Sequence, residues 1–266
     1  MKRVAWLTDI HLEFLEPREI NVFIDSLAES KADIVLVGGD TGIASNFDIF
    51  LQRLAEKLRC PVYFVLGNHD FYHGSIREVR TRAEQISKSV ALLNWLPFVG
   101  IVKITETTCL LGHDSWADGR LGNGSASQEV LNDYYLIEEL TGLSHQQRFI
   151  ELAKLGDQAA DYFSDFLPQA CLQFEEIISL THVPPFRDSC WHEGKISDDE
   201  FLPHFACKAT GEVFRRVMRK HPECRLTVLC GHTHSPGFSN ILPNLSVRTG
   251  SAVYGQPRLQ ELIVAN

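Results

Sequence analysis

The sequence contains no Cys-x-x-Cys pair. Its seven cysteines, at 60, 109, 171, 190, 207, 224 and 230, are odd in number and scattered. That spacing excludes a disulfide framework and a thiolate zinc site. They read as reduced, mostly buried thiols, and the expected location is cytoplasmic. Long apolar runs are also missing. The run Val4–Leu7 holds four residues before the charge at Asp9. It is too short for a signal peptide, and no stretch is long enough to span a bilayer. Positive charge is scarce: 25 Lys and Arg against 34 Asp and Glu leave a formal net charge of −9 with His neutral. An acidic surface repels a phosphate backbone, so bulk nucleic-acid binding is disfavoured. The longest basic cluster, Arg215, Arg216, Arg219 and Lys220, falls in the last turns of an expected helix, where cations complement the dipole. Neither an internal repeat nor a low-complexity segment is present.

What is present is core material and a repeated local pattern. The 266 residues are 44% apolar, with 16 Phe and 4 Trp, enough for one large α/β domain carrying an insertion. Five short apolar runs each end in polar or metal-binding residue types. Val4–Leu7 leads into Asp9 and His11, Ile34–Val37 into Gly39-Asp40, and Val62–Leu66 into Gly67-Asn68-His69-Asp70. Ile177–Leu180 leads into His182, and Leu226–Cys230 into Gly231-His232-Thr233-His234. Such Val- and Ile-rich runs bounded by Gly or polar residues read as buried strands.

Between the first three runs, Ile20, Phe23, Ile24 and Leu27 keep helical spacing, with Pro17 suited to the first turn. Phe47, Phe50, Leu51, Leu54 and Leu58 do the same after a Ser45 or Asn46 cap. Residues 3–66 therefore read as β-α-β-α-β, which makes the strands parallel and brings their C-terminal ends to one edge. Open α/β sheets place ligands at that edge. Asp9, His11, Asp40, Asn68 and His69 share the rim, and His182, His232 and His234 join it if the later strands point the same way. The middle reads differently. Ile101–Ile104 and Thr108–Leu111 form an expected hairpin. Residues 127–167 are expected to be helical, with a capping box at Ser144–Gln147 and a stop at Pro168. Gly119–Gln173 is read as a helical insertion, either a lid or a flanking layer. A last helix over Gly211–Lys220 is closed by Pro222.

One His on a rim means little, because most are hydrogen-bonded structural residues. Here four His, two Asp and one Asn follow five separate strands. Without a metal, so many acceptors would be crowded and poorly paired. Mixed imidazole, carboxylate and amide oxygen suits Mn, Fe, Zn or Co. Seven side chains are too many for one ion and fit two that share a carboxylate. Two such ions, divalent or mixed-valence, can activate a bridging hydroxide and clamp the attacking and leaving oxygens, which is what phosphoryl transfer needs.

Asp9-Ile10-His11, Gly39-Asp40, Gly67-Asn68-His69-Asp70, His182 and Gly231-His232-Thr233-His234 together resemble, in order, all five blocks of the calcineurin-like metallophosphoesterase family. The resemblance runs from residue 4 to about 250. It implies a four-layer αββα sandwich of two mixed β-sheets. It also implies that Asp9, His11 and His234 bind one metal, that Asn68, His182 and His232 bind a second, and that Asp40 bridges them. By the same resemblance His69 is not a ligand; it faces the phosphate and protonates the leaving oxygen or stabilises the transition state. The sequence departs from the protein Ser/Thr phosphatases, whose second block is Gly-Asp-x-x-Asp-Arg-Gly and whose third ends in Glu: here Thr41-Gly42-Ile43-Ala44 follows Asp40, and Asp70 ends the third block. It departs from the diacylglucosamine pyrophosphatases too, which carry Arg in place of His69.

The expected function is therefore hydrolysis of a phosphomonoester or phosphodiester, on a small-molecule substrate, by a dinuclear metal site. The alternatives are a nuclease of the same fold, which would need a basic groove, and a non-catalytic scaffold, which would be expected to lose ligands. Four further residues are candidates with structural alternatives. Asp70 could orient His69 or cap the loop. His73 could meet substrate, Arg187 could hold a phosphate, and His113, followed by Asp114, could reach the metals. Specificity is expected to lie in the insertion and in the 186–206 loop.

Overall fold

The computed structural model describes residues 1–266. Its first third is the expected alternation: β1 (Lys2–Leu7), α1 (Pro17–Ala28), β2 (Ile34–Gly38), α2 (Phe47–Leu58) and β3 (Val62–Val65), followed by α3 (Ile76–Ser89) and β4 (Leu93–Trp95). The chain continues through α4 (Leu96–Val99), β5 (Val102–Lys103), β6 (Thr108–His113), α5 (Asp133–Leu136), α6 (His145–Cys171) and β7 (Glu176–Thr181). A small ribbon of β8 (Trp191–His192) and β9 (Lys195–Ile196) precedes α7 (Leu202–Phe205), α8 (Lys208–Met218) and β10 (Arg225–Cys230). The last strands are β11 (Gly237–Leu242), β12 (Leu245–Thr249) and β13 (Glu261–Ala265).

Two mixed sheets result. The first has the order β13-β1-β2-β3-β4, with β13 antiparallel and the rest parallel. Val4 lies opposite Ile34, and Val35 opposite Val62. The second has the order β11-β12-β10-β7-β6-β5, parallel in its centre and antiparallel at both ends. The expected hairpin is its β5–β6 edge.

Period-two alternation then sorts side chains into three apolar layers. Ala5, Leu7, Val35 and Val37 face α1, α2 and α3, whose Ile24, Leu51 and Ala83 meet them. Val4, Trp6, Ile34 and Leu36 face the other way, against Leu110, Ile178, Leu180 and Leu229 of the second sheet. On that sheet's outer side, Ile177, Leu226 and Val228 pack under Phe163 and Leu167 of α6 and Phe214 of α8. Helix, sheet, sheet, helix is the four-layer sandwich expected.

Two local expectations differ from the structure. Residues 127–144 are mostly irregular, with only α5 and a single 3-10 turn, Glu138–Leu140; the long helix starts at His145. Ser144 does cap it, with Gln147 answering in a capping box. Pro168 does not stop it: α6 runs on to Cys171, and the Pro168 carbonyl accepts from Leu172 N. A proline removes one helical donor, but the buried Leu167 and Ala170 on the sheet-facing side hold the last turn in place.

Candidate metal centre

The strand ends meet at one rim. The Asp9 amide donates to Gly39 O, the His11 amide to Asp40 O, and the Gly231 amide to His182 O. The His232 amide donates to Asp9 Oδ1 at 2.9 Å, which ties the second sheet's last ligand loop to the first strand of the other sheet. Five of the candidate ligands hold left-handed backbone: φ is 50° at Asp9, 41° at His11, 52° at Asp40, 70° at His232 and 58° at His234. Each such non-glycine residue costs about 1 kcal/mol. The strain persists because these loop hydrogen bonds over-determine the backbone.

Close approach also sets the glycines. A Cβ on Gly231 would lie 1.9 Å from Asp9 Oδ2, and one on Gly67 would lie 2.2 Å from Asp40 Oδ1. Side chains other than hydrogen cannot occupy these places while the carboxylates hold their positions.

Three imidazoles have one nitrogen assigned by a group that can only accept. His182 Nδ1 donates to Gly38 O at 2.9 Å, His232 Nε2 donates to His204 O at 3.2 Å, and His11 Nδ1 lies 3.2 Å from Glu13 Oε1. The opposite nitrogens are then left as bare acceptors. His182 Nε2 and His232 Nδ1 each lie 3.0 Å from Asn68 Oδ1. Three lone pairs thus face one another with no hydrogen to share. His11 Nε2 lies 3.3 Å from His234 Nε2, beside Asp9 and Asp40. Asp40 Oδ2 stands between the groups, 3.7 Å from His11 Nε2 and 3.5 Å from His182 Nε2. Converging acceptors of this kind fit cations, and the donor set of imidazole, carboxylate and amide oxygen fits divalent transition metals.

Electrostatics follow the same geometry. Burial pushes the Asp9 carboxyl up, but His234, His182 and His11 outweigh it and hold it below the usual carboxylate range. Burial dominates at Asp40 and pushes it well up, with Asp9 and Asp70 adding to the effect. Burial and the neighbouring His182 push His232 down to about 3, so it stays a neutral donor. Burial also lowers His69, but Asp40, Glu13 and Asp133 overcome it and raise the imidazole above its ordinary value.

The structure brings Asp9, His11, Asp40, Asn68, His69, His182, His232 and His234 to this rim. It gives Asp70 a different place from the one that would orient His69. Asp70 Oδ1 accepts from the Thr41 and Gly42 amides, and Oδ2 from those of Asp40 and Gly67. Both oxygens are taken, so this carboxylate pins the Asp40 loop to the Asn68 loop, while the group beside the His69 ring is Glu13, 3.8 Å away. His113 accepts from Ser115 N and packs against Tyr162 and Phe163; burial pushes it down to about 4. Asp114 binds Leu66 N, Trp95 Nε1 and Arg80, so it ties the two sheets together while His113 packs under α6, and neither serves the ligand cluster. Arg187 pairs with Asp199 at the surface. The His73 amide donates to Leu136 O, and its side chain lines a groove beside α3 instead of the metal cleft.

Sequence reasoning missed Glu13, Asp133, Tyr254 and the His204 carbonyl. Asp133 accepts from Asn68 Nδ2, and Tyr254 lies over His11 with ring centroids 4.6 Å apart. No spacing signal links these residues to the ligands they touch. The cleft above the candidate ligands holds about 360 Å³ and is lined by Asp133, His192, Glu193, Phe205 and Tyr254 among others; no Lys or Arg lines it. Its walls thus come from the 119–173 segment, the 186–206 loop and the C-terminal loop.

Comparison with known proteins gives a consistent result. The model of the calcineurin-like phosphoesterase family matches residues 2–236. An uncharacterised metallophosphoesterase of Helicobacter pylori is 31% identical over 77 residues, which span 27% of this chain and 20% of that protein. A dimetal phosphatase from Danio rerio superposes with a TM-score of 0.59 at 15% identity, covering 96% of this chain and 89% of that one. The phosphopantetheinyl hydrolase of Mycobacterium tuberculosis gives 0.62 at 13% identity, covering 94% and 89%. At such identities the structural likeness speaks for the fold.

Proposed function

This chain belongs to the calcineurin-like phosphoesterase family, and on that premise we propose that it hydrolyses a phosphomonoester or phosphodiester of a small molecule with two transition-metal ions. Asp9, His11 and His234 would hold one ion, Asn68, His182 and His232 would hold the other, and Asp40 would serve both. The observation that carries this reading is the meeting of three bare acceptors, Asn68 Oδ1, His182 Nε2 and His232 Nδ1: the two rings give their protons to backbone carbonyls, and the Asn68 amide gives its own to Asp133. When bound, two such ions lower the pKa of water and neutralise charge on the phosphoryl oxygens.

The chain's own groups do the rest. No Lys or Arg lines the cleft, so phosphoryl charge there would fall to the ions and to His69, with polar side chains such as His192, Ser235 and Tyr254 beside them. His69 stacks on Tyr72, with ring centroids 4.2 Å apart, and its amide donates to Asp40 Oδ1 at 2.8 Å. Held at the rim between Tyr72 and Glu13, its imidazole is placed to give a proton to the leaving oxygen. Glu193 in the wall and the net charge of −9 oppose a polyanionic strand, which favours a small ester over nucleic acid.

The test is metal analysis of the Mn²⁺-loaded protein, followed by assays on p-nitrophenyl phosphate, its bis-ester, and 2′,3′- and 3′,5′-cyclic nucleotides. About two ions per chain are expected, with activity that disappears on chelation. A protein that binds no ion, or that hydrolyses no ester while fully loaded, would refute the reading.

A further inference from the structure

We propose that Asp133, delivered by the segment between β6 and α6, is a positioning residue that fixes which end of the Asn68 amide faces the metal position and seats Tyr72 behind His69. The proposal rests on the two-ion reading above. Asp133 lies 65 residues from Asn68 in sequence and is 4% exposed. Its Oδ1 accepts two hydrogen bonds, from Asn68 Nδ2 at 2.9 Å and from the Tyr72 hydroxyl at 2.7 Å.

The two ends of a carboxamide have nearly the same shape, so only its partners choose its orientation. A carboxylate oxygen can only accept. Asp133 therefore takes the NH₂ end and leaves Asn68 Oδ1 turned to His182 Nε2 and His232 Nδ1, at 3.0 Å from each. With the amide reversed, its oxygen would face the Asp133 oxygen and its N–H groups would point at the cation position. Both contacts would be repulsive. The second link runs through Tyr72. Its hydroxyl is committed to Asp133, and its ring lies 28° from parallel to the His69 imidazole. One buried carboxylate thus holds a proposed ligand and the surface against which the proposed acid rests. A helix-capping role does not explain this placement, because α5 spans only Asp133–Leu136 and the Oδ1 contacts go to side chains on the other wall.

The experiment is calorimetric Mn²⁺ titration of the full chain as wild type, Asp133→Ala, Asp133→Asn and Tyr72→Phe, with thermal midpoints recorded alongside. Asp133→Ala should weaken one of the two binding steps by about 10–100-fold, the usual effect of removing a group that orients a metal ligand. The other step, assigned to Asp9, His11 and His234, should stay at wild-type strength. Asp133→Asn keeps one acceptor oxygen and should fall between wild type and Ala in the weakened step alone. Tyr72→Phe removes a hydroxyl that also accepts from Asn68 Nδ2 at 3.2 Å, so it should weaken the same step less than Asp133→Ala does, leave the other step intact, and lower kcat rather than raise KM. Unchanged binding in Asp133→Ala overturns the proposal. So does equal weakening of both steps in parallel with the thermal midpoint, the mark of a merely structural residue. If the Ala variant does not fold, the Asn variant decides by the same criterion of selective weakening. A wild type with fewer than two binding steps overturns the two-ion reading, and the role of Asp133 with it.

Discussion

Imidazole is useful in this site because each ring has one nitrogen taken away from it. Gly38 O, His204 O and Glu13 Oε1 each hold a ring nitrogen of His182, His232 and His11, so the free nitrogens point inward without any proton to rearrange. His69 is built differently. It neighbours the proposed ligand Asn68, yet its ring lies between Tyr72 and Glu13. His69→Ala should therefore retain both ions and most of the stability while lowering kcat by roughly 10²–10⁴-fold, the worth of a positioned general acid. The loss should be smaller for p-nitrophenyl phosphate than for an alkyl ester, because nitrophenolate leaves without a proton. Paired metal analysis and steady-state rates on both esters check this. Loss of an ion would make His69 a ligand, and an equal loss on both esters would make it a stabiliser of phosphoryl charge instead.

Strand ends and the loops that follow them carry the proposed ligands, and these elements are where the fit is tightest. Gly231 follows β10 and lets the chain pass over Asp9; a Cβ there would also sit 2.2 Å from Thr8 Oγ1. Gly231→Ala must push Asp9 or the His232 loop aside, so it should abolish binding of at least one ion. Gly142→Ala is the control. Gly142 has a φ of 72° but no atom within 4 Å of its Cβ position, so only backbone strain of about 1 kcal/mol applies and metal content should be unchanged. Urea midpoints and metal stoichiometry for the two variants give the answer; equal metal content in both would mean the loop yields more than its hydrogen bonds suggest.

These same elements explain what could be read in advance. Apolar runs that stop at Asp40, Asn68, His182 or His232 announce both strand and ligand, since burial on two faces demands Val and Ile and the rim demands polar donors. Asp133 and Glu13 carried no such mark. A carboxylate in an irregular segment looks like any solvated acid until tertiary contact places it on Asn68 or His11. Next to a His, Asp70 reads equally as an orienting group or as a loop cap, and the four backbone amides that the fold presents to it from two loops favour the cap. Pro168 reads as a helix stop, and packing of α6 on the second sheet outweighs it.

At the scale of the whole molecule, the centre joins two sheets that otherwise meet mainly through apolar side chains, with Asp114 as a buried polar link. Asp9, His11, Asp40 and Asn68 follow strands of the first sheet; His182, His232 and His234 follow strands of the second. The proposed second ion takes Asn68 from one sheet and two imidazoles from the other, and the first ion takes Asp9 and His11 with His234. Neither site exists unless the sandwich is closed. Binding to the folded state alone stabilises by RT ln(1 + [L]/Kd), about 2.7 kcal/mol for an ion at 100 times its Kd. Two ions at that saturation give roughly 5 kcal/mol, and for a chain of this size that corresponds to a rise on the order of 10 °C in thermal midpoint. Chelation should reverse it, and Mn²⁺ should restore it in a concentration-dependent way. Asp40→Asn, which touches both groups, should remove most of the metal-induced shift, whereas His69→Ala should keep it. Scanning calorimetry of the three proteins with chelator and with graded Mn²⁺ tests the point. A midpoint indifferent to metal in the wild type would show that the sandwich closes without help from its ligands, and that the left-handed ligand loops are held by their hydrogen bonds alone.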